Sequence, residues 1–389
     1  MLFNMWYVVA DLKEITSAPK HVKVLGQNLV VFRTDDGTIA CLSDICVHRG
    51  ASLSRGRVVD GCVECPYHGW RFNKDGVCTK IPSQEPGARI PSQARVDSYP
   101  VAIRYGWVWA FMGDLPEAQR PPLPEFPEYD NPEWKKIRGE YIWNADYARV
   151  VENGLDFSHA PFVHPSFGDP EHAVIEDFEI KAHEWGAGAT VSYLPPMYTG
   201  VWKLLRRKRS PVRANPSFHM SGALMCLKVH ITDTWTQVIY DVNTPVDEHT
   251  THTRWIHARN FMKGNWADRD AFKRVQAIFV QDAVVVENIQ PQILPVDLAE
   301  ELSLKSDGLQ MAFRRMRRNF IKRGWGIDVD YFKQQCNQKF ARVVPSPERS
   351  KPENASLRWV IPPLPVVKPK VLAPVLGKEF VEDQPPHLC

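Results

Sequence analysis

The sequence predicts an α+β chain of two domains, a small antiparallel β-domain followed by a larger domain of antiparallel sheet and helices. Three observations predict it. Up to about residue 112 the chain is a succession of short runs of strand formers separated by Asp-Gly turns. The proline-rich stretch Pro121-Pro122-Leu123-Pro124, with Pro127, then marks a boundary. Beyond it, helical periodicity flanks a second set of strands. The expected boundaries are 1–115 for the first domain, 116–345 for the second and 346–389 for a proline-rich tail.

In the first domain, Val22-Lys23-Val24-Leu25, Leu29-Val30-Val31-Phe32 and Trp107-Val108-Trp109-Ala110-Phe111 read as strands, and Asp35-Asp36-Gly37, Asp60-Gly61 and Asp75-Gly76 as turns. In the second, a helix is expected from about residue 144 to Pro161. Strands follow between about 175 and 262, the last of them, Thr251 to Phe261, after the turn-like Asp247-Glu248-His249. A helix from about Asp268 to Gln290 stops at Pro291, and another from about Asp307 closes near Gly324. The tail is expected to run extended over the surface or to be partly disordered.

Lysine and arginine number 48 against 45 acidic residues, a net charge of +3 that argues neither for nor against nucleic acid; no nucleic-acid partner is among those expected. The clusters Arg206 to Arg209 and Arg314 to Arg318 read as a solvated loop and the polar face of a helix, since Leu309, Phe313, Met316 and Phe320 recur at helical spacing. A docking surface for an acidic redox partner is the sharper reading of the same charges. The apolar start from Met1 to Ala10 is short and has no basic residue before it, so it reads as a strand and not a signal peptide. No stretch approaches the roughly 20 apolar residues of a membrane span, and the cytoplasm is the expected location. Eight cysteines are too sparse for a disulfide scaffold.

Two of those cysteines carry a motif. Cys46-Val47-His48 and Cys65-Pro66-Tyr67-His68 are C-x-H and C-x-x-H, separated by sixteen residues. Two tight loops can each present one thiolate and one imidazole to a shared site. In a Rieske centre two cysteines hold one iron of [2Fe–2S] and two histidines hold the other. A Cys₂His₂ zinc site uses the same ligand set, but usually pairs Cys with Cys and His with His, so the mixed halves favour Rieske. Cys41, Cys62 and Cys78 have no ligand spacing and read as packing residues, and Cys226, Cys336 and Cys389 have no motif.

A second constellation lies downstream. Asn153, Asp156 and His159 fall at i, i+3 and i+6, and Pro161 is expected to break the helix so that His164 folds back beside His159. Two imidazoles and one carboxylate make a 2-His-1-carboxylate triad with open positions on Fe(II). Asp282 is the candidate acid, because it falls in the apolar stripe of Phe272, Val275, Phe279, Val286 and Ile289. A carboxylate there is costly unless paired or bound to a cation. The alternative is a hydrogen-bonded buried Asp. Glu287 lies on another face and reads as a structural ion pair.

Cys46-Val47-His48-Arg49-Gly50 and Cys65-Pro66-Tyr67-His68-Gly69-Trp70 resemble the two loops of Rieske non-heme iron oxygenases. Respiratory Rieske proteins carry an extra cysteine in each loop, where this chain has Ala51 and Tyr67. Asn-x-x-Asp-x-x-His-x-x-x-x-His resembles the signature of the α-subunits of these oxygenases, and Phe279-Val280-Gln281-Asp282 resembles their aspartate segment. The resemblance implies a Rieske domain followed by a helix-grip catalytic domain. It assigns Cys46, His48, Cys65 and His68 to the cluster, and His159, His164 and Asp282 to a mononuclear iron. It places Asn153 near that iron and makes Asp156 the acid joining the two metal sites. It further implies a head-to-tail homotrimer in which His68 of one subunit meets Asp156 of the next.

No G-x-G-x-x-G follows a strand, so NAD(P)H is expected to be oxidised by a separate reductase, with or without a ferredoxin between. The stretch from Asp156 to His164 looks closer to the demethylase and monooxygenase branch than to naphthalene-type dioxygenases. The expected reaction is O₂-dependent hydroxylation or oxidative demethylation of a small apolar aromatic or heterocyclic compound. Ring cis-dihydroxylation is the enzymatic alternative; a Rieske electron carrier and a zinc-stabilised binding protein are the others.

Overall fold

The computed structural model describes residues 1–165, 167–195, 211–336 and 341–367. They form two compact units. The first comprises Met1–Leu123, Thr244–Glu248 and the described residues from Phe320 onward; the second comprises Pro124–Asn243 and His249–Asn319. The first break therefore falls at 123/124, beyond the expected 115/116, and residues up to 367 of the expected separate tail join the first unit. Its anchors explain this. Arg349 Nε and Nη2 each donate to Asp97 at 2.7 Å, Ser346 N donates to the same carboxylate at 3.0 Å, and Tyr99 Oη donates to Val344 O at 2.7 Å.

The first unit contains β1 (Met5–Asp11), β2 (Lys20–Val24), β3 (Gln27–Arg33), β4 (Ile39–Ser43), β5 (Arg57–Val59), β6 (Cys62–Glu64), β7 (Arg71–Phe72), β8 (Cys78–Lys80), β9 (Ser98–Tyr99), β10 (Val101–Arg104) and β11 (Trp107–Met112). They pair antiparallel in the orders β1-β11-β10, β2-β3-β4-β9 and β5-β6-β7-β8. The expected turn Asp60-Gly61 joins β5 to β6, with φ of 50° and 68°, the left-handed pair that two-residue hairpins prefer. Val30, Phe32, Leu42, Leu53, Val63 and Phe72, all fully buried, form one core beneath the two four-stranded sheets, and Cys46, Cys65 and Cys78 belong to it. Burial of each such aliphatic or aromatic side chain contributes about 2 kcal/mol, which fixes the loops above it.

The second unit contains β12 (Lys135–Trp143), α1 (Tyr147–Leu155), α2 (Ala160–Val163), β13 (Glu176–His183), β14 (Gly186–Tyr193), β15 (Val212–His219), β16 (Leu224–His230), β17 (Thr236–Pro245), β18 (Thr251–Arg259), α3 (Asp268–Val286) and α4 (Gly308–Phe320). Among the described residues the strands make one sheet in the order β12-β18-β17-β16-β15-β14-β13. Trp143, Val150, Ile239, Trp255, Val275 and Phe279 form a core that joins this sheet to α1 and α3.

The basic cluster on α4 departs from expectation. Arg314, Arg317 and Arg318 are buried rather than solvated. Arg314 pairs with Glu152 and Glu301, and Arg149 pairs with Glu301 at 2.7 Å, so these charges tie α1 to α4. The cluster Arg206 to Arg209 lies outside the described residues. Among those residues no helix is long and apolar enough to cross a membrane.

Acid sensitivity is built into the sheet. His257 on β18 is 3% exposed and shares a 3.3 Å hydrogen bond with Gln237 Oε1. Burial, with Arg259 nearby, pushes its imidazole down to about 4. The unfolded chain, with a histidine near 6.5, binds this proton first, so the group's contribution to stability is lost as pH falls from about 6.5 towards 4. At pH 5 the loss is on the order of 2 kcal/mol. The urea midpoint of His257→Gln is expected to fall less between pH 7 and pH 5 than that of the parent. An identical fall in both proteins contradicts this.

Candidate metal centres and substrate cavity

The two cysteine loops fold alike. Cys46 N donates to Ala51 O at 2.9 Å and Gly50 N to Cys46 O at 2.8 Å; Cys65 N donates to Trp70 O at 2.8 Å and Gly69 N to Cys65 O at 3.0 Å. Each turn closes on a glycine at positive φ, 75° at Gly50 and 70° at Gly69. At Gly69 a Cβ would also press on Pro82 at 3.0 Å. Asp44, itself buried, braces the first loop by accepting from Ser52 Oγ and from both Ser54 N and Ser54 Oγ.

The four expected ligands separate into two pairs. His48 Nδ1 and His68 Nδ1 face each other at 3.1 Å, and the His48 ring stacks on Trp70 at 4.6 Å between centroids. Both thiols are buried, and burial pushes Cys46 up to about 12. Such sulfurs become thiolates only beside a strong cationic partner. A thiol pair below and an imidazole pair at the surface fit a cluster whose two irons have unlike ligands.

In the second unit the geometry corrects one step of the sequence reading. The first helix ends at Leu155, not Pro161, because Asp156 turns extended (φ −85°, ψ 117°) and its Oδ1 accepts from Ser158 N at 2.7 Å. A side chain that bonds its own backbone two residues on competes with the helix. Asn153, Asp156 and His159 therefore do not share one helix face. Pro161 opens α2 rather than breaking α1, as suits a residue with no N–H to donate. The short α2 carries His159 at its start and His164 at its end.

The three expected ligands do come together. His159 Nε2 and His164 Nε2 lie 3.2 Å apart, and Asp282 Oδ1 lies 3.3 and 3.1 Å from them. One ligand atom of each residue falls within 4.8 Å of the others. Asp282 is 6% exposed on α3, where Val275, Phe279 and Val286 of the expected stripe are buried with it, while Phe272 is exposed and Ile289 lies beyond the helix. Its Oδ1 is close to both imidazoles yet hydrogen-bonded to neither, the arrangement of ligands around a shared cation. Burial alone would raise Asp282, but the two imidazoles outweigh it and hold the acid down at about 2. Burial alone would lower His159, but Asp156 and Asp282 outweigh it and hold the imidazole up at about 9. The set fits a 2-His-1-carboxylate metal site.

Asp156 Oδ2 is 3.6 Å from His159 Nδ1, an attraction of charge rather than a formed hydrogen bond. Gln281 was not foreseen as a site residue, although it immediately precedes Asp282. Its Oε1 is 2.8 Å from His164 Nδ1, which assigns the proton to Nδ1 and leaves Nε2 free to ligate. Glu287 makes no ion pair among the described residues; it accepts from Asn144 N at 2.9 Å.

Asn153, Asp156, His159, His164 and Asp282 open onto one cavity, otherwise walled mainly by apolar side chains including Trp143, Phe157, Leu227 and Phe279. Gly154 belongs to this wall because a Cβ there would come within 2.7 Å of Met225.

Comparison with known proteins agrees with this arrangement. Residues 5–100 match the Rieske [2Fe-2S] domain, and residues 143–323 match the vanillate O-demethylase oxygenase C-terminal domain. The iron-sulfur subunit of the toluene-4-sulfonate monooxygenase system of Comamonas testosteroni is 38% identical over 42% of this chain, a match that spans only 46% of that relative. The oxygenase component of dicamba O-demethylase of Stenotrophomonas maltophilia is 31% identical over 74% of this chain and 87% of its own length. The methylxanthine N1-demethylase NdmA of Pseudomonas putida is 29% identical over 82% of this chain and 88% of its own. Its structure with caffeine aligns with a TM-score of 0.71 at 26% identity, over 82% of this chain and 91% of that one. With both domains matched and 87% of a demethylase oxygenase covered at 31% identity, the chain belongs to the Rieske non-heme iron oxygenases, among the oxygenase α-subunits of the demethylase and monooxygenase branch.

Proposed function

We propose that this chain inserts oxygen from O₂ into a small apolar aromatic or heterocyclic substrate, by monohydroxylation or oxidative demethylation. The observation that carries this reading is the convergence of His159, His164 and Asp282 at an apolar cavity, in a chain that also carries the Rieske ligand set. The relatives' names support the substrate class: a methylxanthine, dicamba and toluene-4-sulfonate.

In this reading Cys46 and Cys65 hold one iron of [2Fe–2S], His48 and His68 the other, and His159, His164 and Asp282 the mononuclear iron. When bound, the cluster supplies single electrons and the mononuclear iron supplies open positions for O₂. Gln281 holds the His164 tautomer, Asp156 orients His159, and Asn153 faces the substrate beside the metal. The apolar wall excludes water from the reacting face. Electrons come from a separate NAD(P)H-dependent reductase, directly or through a ferredoxin, and we place the system in the cytoplasm. A screen of aromatic and heterocyclic methyl ethers, N-methyl compounds and hydrocarbons with a surrogate reductase, following NADH and product mass, tests the reading. A monohydroxylated or demethylated product supports it, a cis-diol moves it to ring dihydroxylation, and NADH-independent inertness across the screen counts against an oxygenase.

The exposed imidazole of His68 supports a further element, transfer between neighbouring subunits through Asp156. A homotrimer is therefore expected from light scattering on the active protein. A fully active species of 44.5 kDa would overturn the inter-subunit route.

A further inference from the structure

The cavity holds one polar group that neither the proposed metal site nor the fold uses. On β17, Ile239, Asp241 and Asn243 alternate onto one face, and all three line the cavity. Asn243 is occupied: its Nδ2 donates to Ala223 O and Asp241 O at 3.0 Å, and its Oδ1 accepts from Thr253 Oγ1. Asp241 is not. It is 3% exposed, and its Oδ1 has no hydrogen-bond partner among the described residues. A buried carboxyl left without a partner is costly, so its presence asks for something bound against it.

The surroundings say what that is. None of the described residues lining the cavity is a lysine or arginine, while Asp156 and Asp282 already bring acidic groups to it. An anionic substrate would find no lysine or arginine there to pair with, and would lie beside acidic side chains. Burial at 3% exposure among apolar walls, with no lysine or arginine in the lining, favours the neutral acid for Asp241. A neutral carboxyl offers one donor and one acceptor side by side. Its complement is an adjacent C=O and N–H on the ligand.

We propose that the Asp241 carboxyl anchors the substrate, and that this cavity takes uncharged aromatic or heteroaromatic compounds with a carboxamide or lactam edge in preference to carboxylates and sulfonates. This rests on the oxygenase reading above and adds the substrate's polar handle.

The test is calorimetric binding to the intact holoprotein at pH 7, using matched pairs of nearly equal shape: benzamide and benzoate, 4-methoxybenzamide and 4-methoxybenzoate, nicotinamide and nicotinate. At least one amide is expected to bind tenfold or more tighter than its acid. Asp241→Leu is expected to weaken that amide at least tenfold, whereas Asp241→Asn, which keeps a donor beside an acceptor, stays within threefold of the parent. An acid that binds as tightly as its amide, binding of neither member of any pair, or an Asp241→Leu protein with unchanged amide affinity overturns the anchor. Iron and sulfide are counted on the same samples. Full metal content without amide preference removes the anchor alone; amide preference in a chain lacking the third iron removes the oxygenase reading alone.

Discussion

Asp156→Asn is expected to keep both metal centres filled and to lose turnover by a factor of order 100 or more. The carboxylate works on two sides. Oδ1 accepts from Ser158 N at 2.7 Å and from Ser158 Oγ at 2.5 Å, and Oδ2 faces His159 Nδ1 at 3.6 Å. An amide has one acceptor oxygen. If that oxygen stays with Ser158, the NH₂ group is turned towards the imidazole N–H, donor against donor. Rotated the other way, the amide loses the Ser158 bonds that end α1. In the proposed trimer the same atom must also meet His68 of the neighbouring subunit. The readout is a single turnover: reduce the cluster, add substrate and O₂, and follow cluster reoxidation. Normal reoxidation in an iron-replete Asp156→Asn protein would sink the bridging role, and loss of iron would make Asp156 a ligand and put Asp282 in doubt.

His159→Ala and Asp282→Ala are each expected to lose the mononuclear iron and fall to background activity while the cluster's visible spectrum stays unchanged. The three donor atoms lie within 4.8 Å, so no neighbouring carboxylate needs to move for the parent to bind metal, and removing one leaves only two ligands. The proposed cluster ligands belong to the other compact unit, whose core is built from its own strands. Iron measured with and without chelator decides it. A variant retaining the full chelatable iron would show that the triad is wrongly assigned.

What the sequence disclosed and what it hid follow from how local each feature is. The cysteine loops were legible because each cysteine–histidine pair and its turn glycine lie within five consecutive residues, and both loops close by the same backbone bonds. Asp282 was legible because an acid in an apolar helical stripe has few reasons to be there. The end of α1 was missed because the Asx bond from Asp156 to Ser158 outweighs helical periodicity, which carries no sign of it. The arginines of α4 read as solvated because their acids, Glu152 and Glu301, lie on other segments; Arg314 and Glu152 are 162 residues apart. The anchoring of the tail had the same cause, since Arg349 and Asp97 are 252 residues apart. Asp241 sits in a strand whose alternation is plain, but alternation does not say which face lines a cavity.

One chain is proposed to hold two separate iron sites of different chemistry. The decisive measurement is a count of iron and labile sulfide per chain in the purified protein, before and after a chelator. About three irons and two sulfides are expected in a brown protein, with the chelator removing one iron and leaving the colour. A colourless protein containing zinc, or a brown one with two irons and none that the chelator removes, would contradict it.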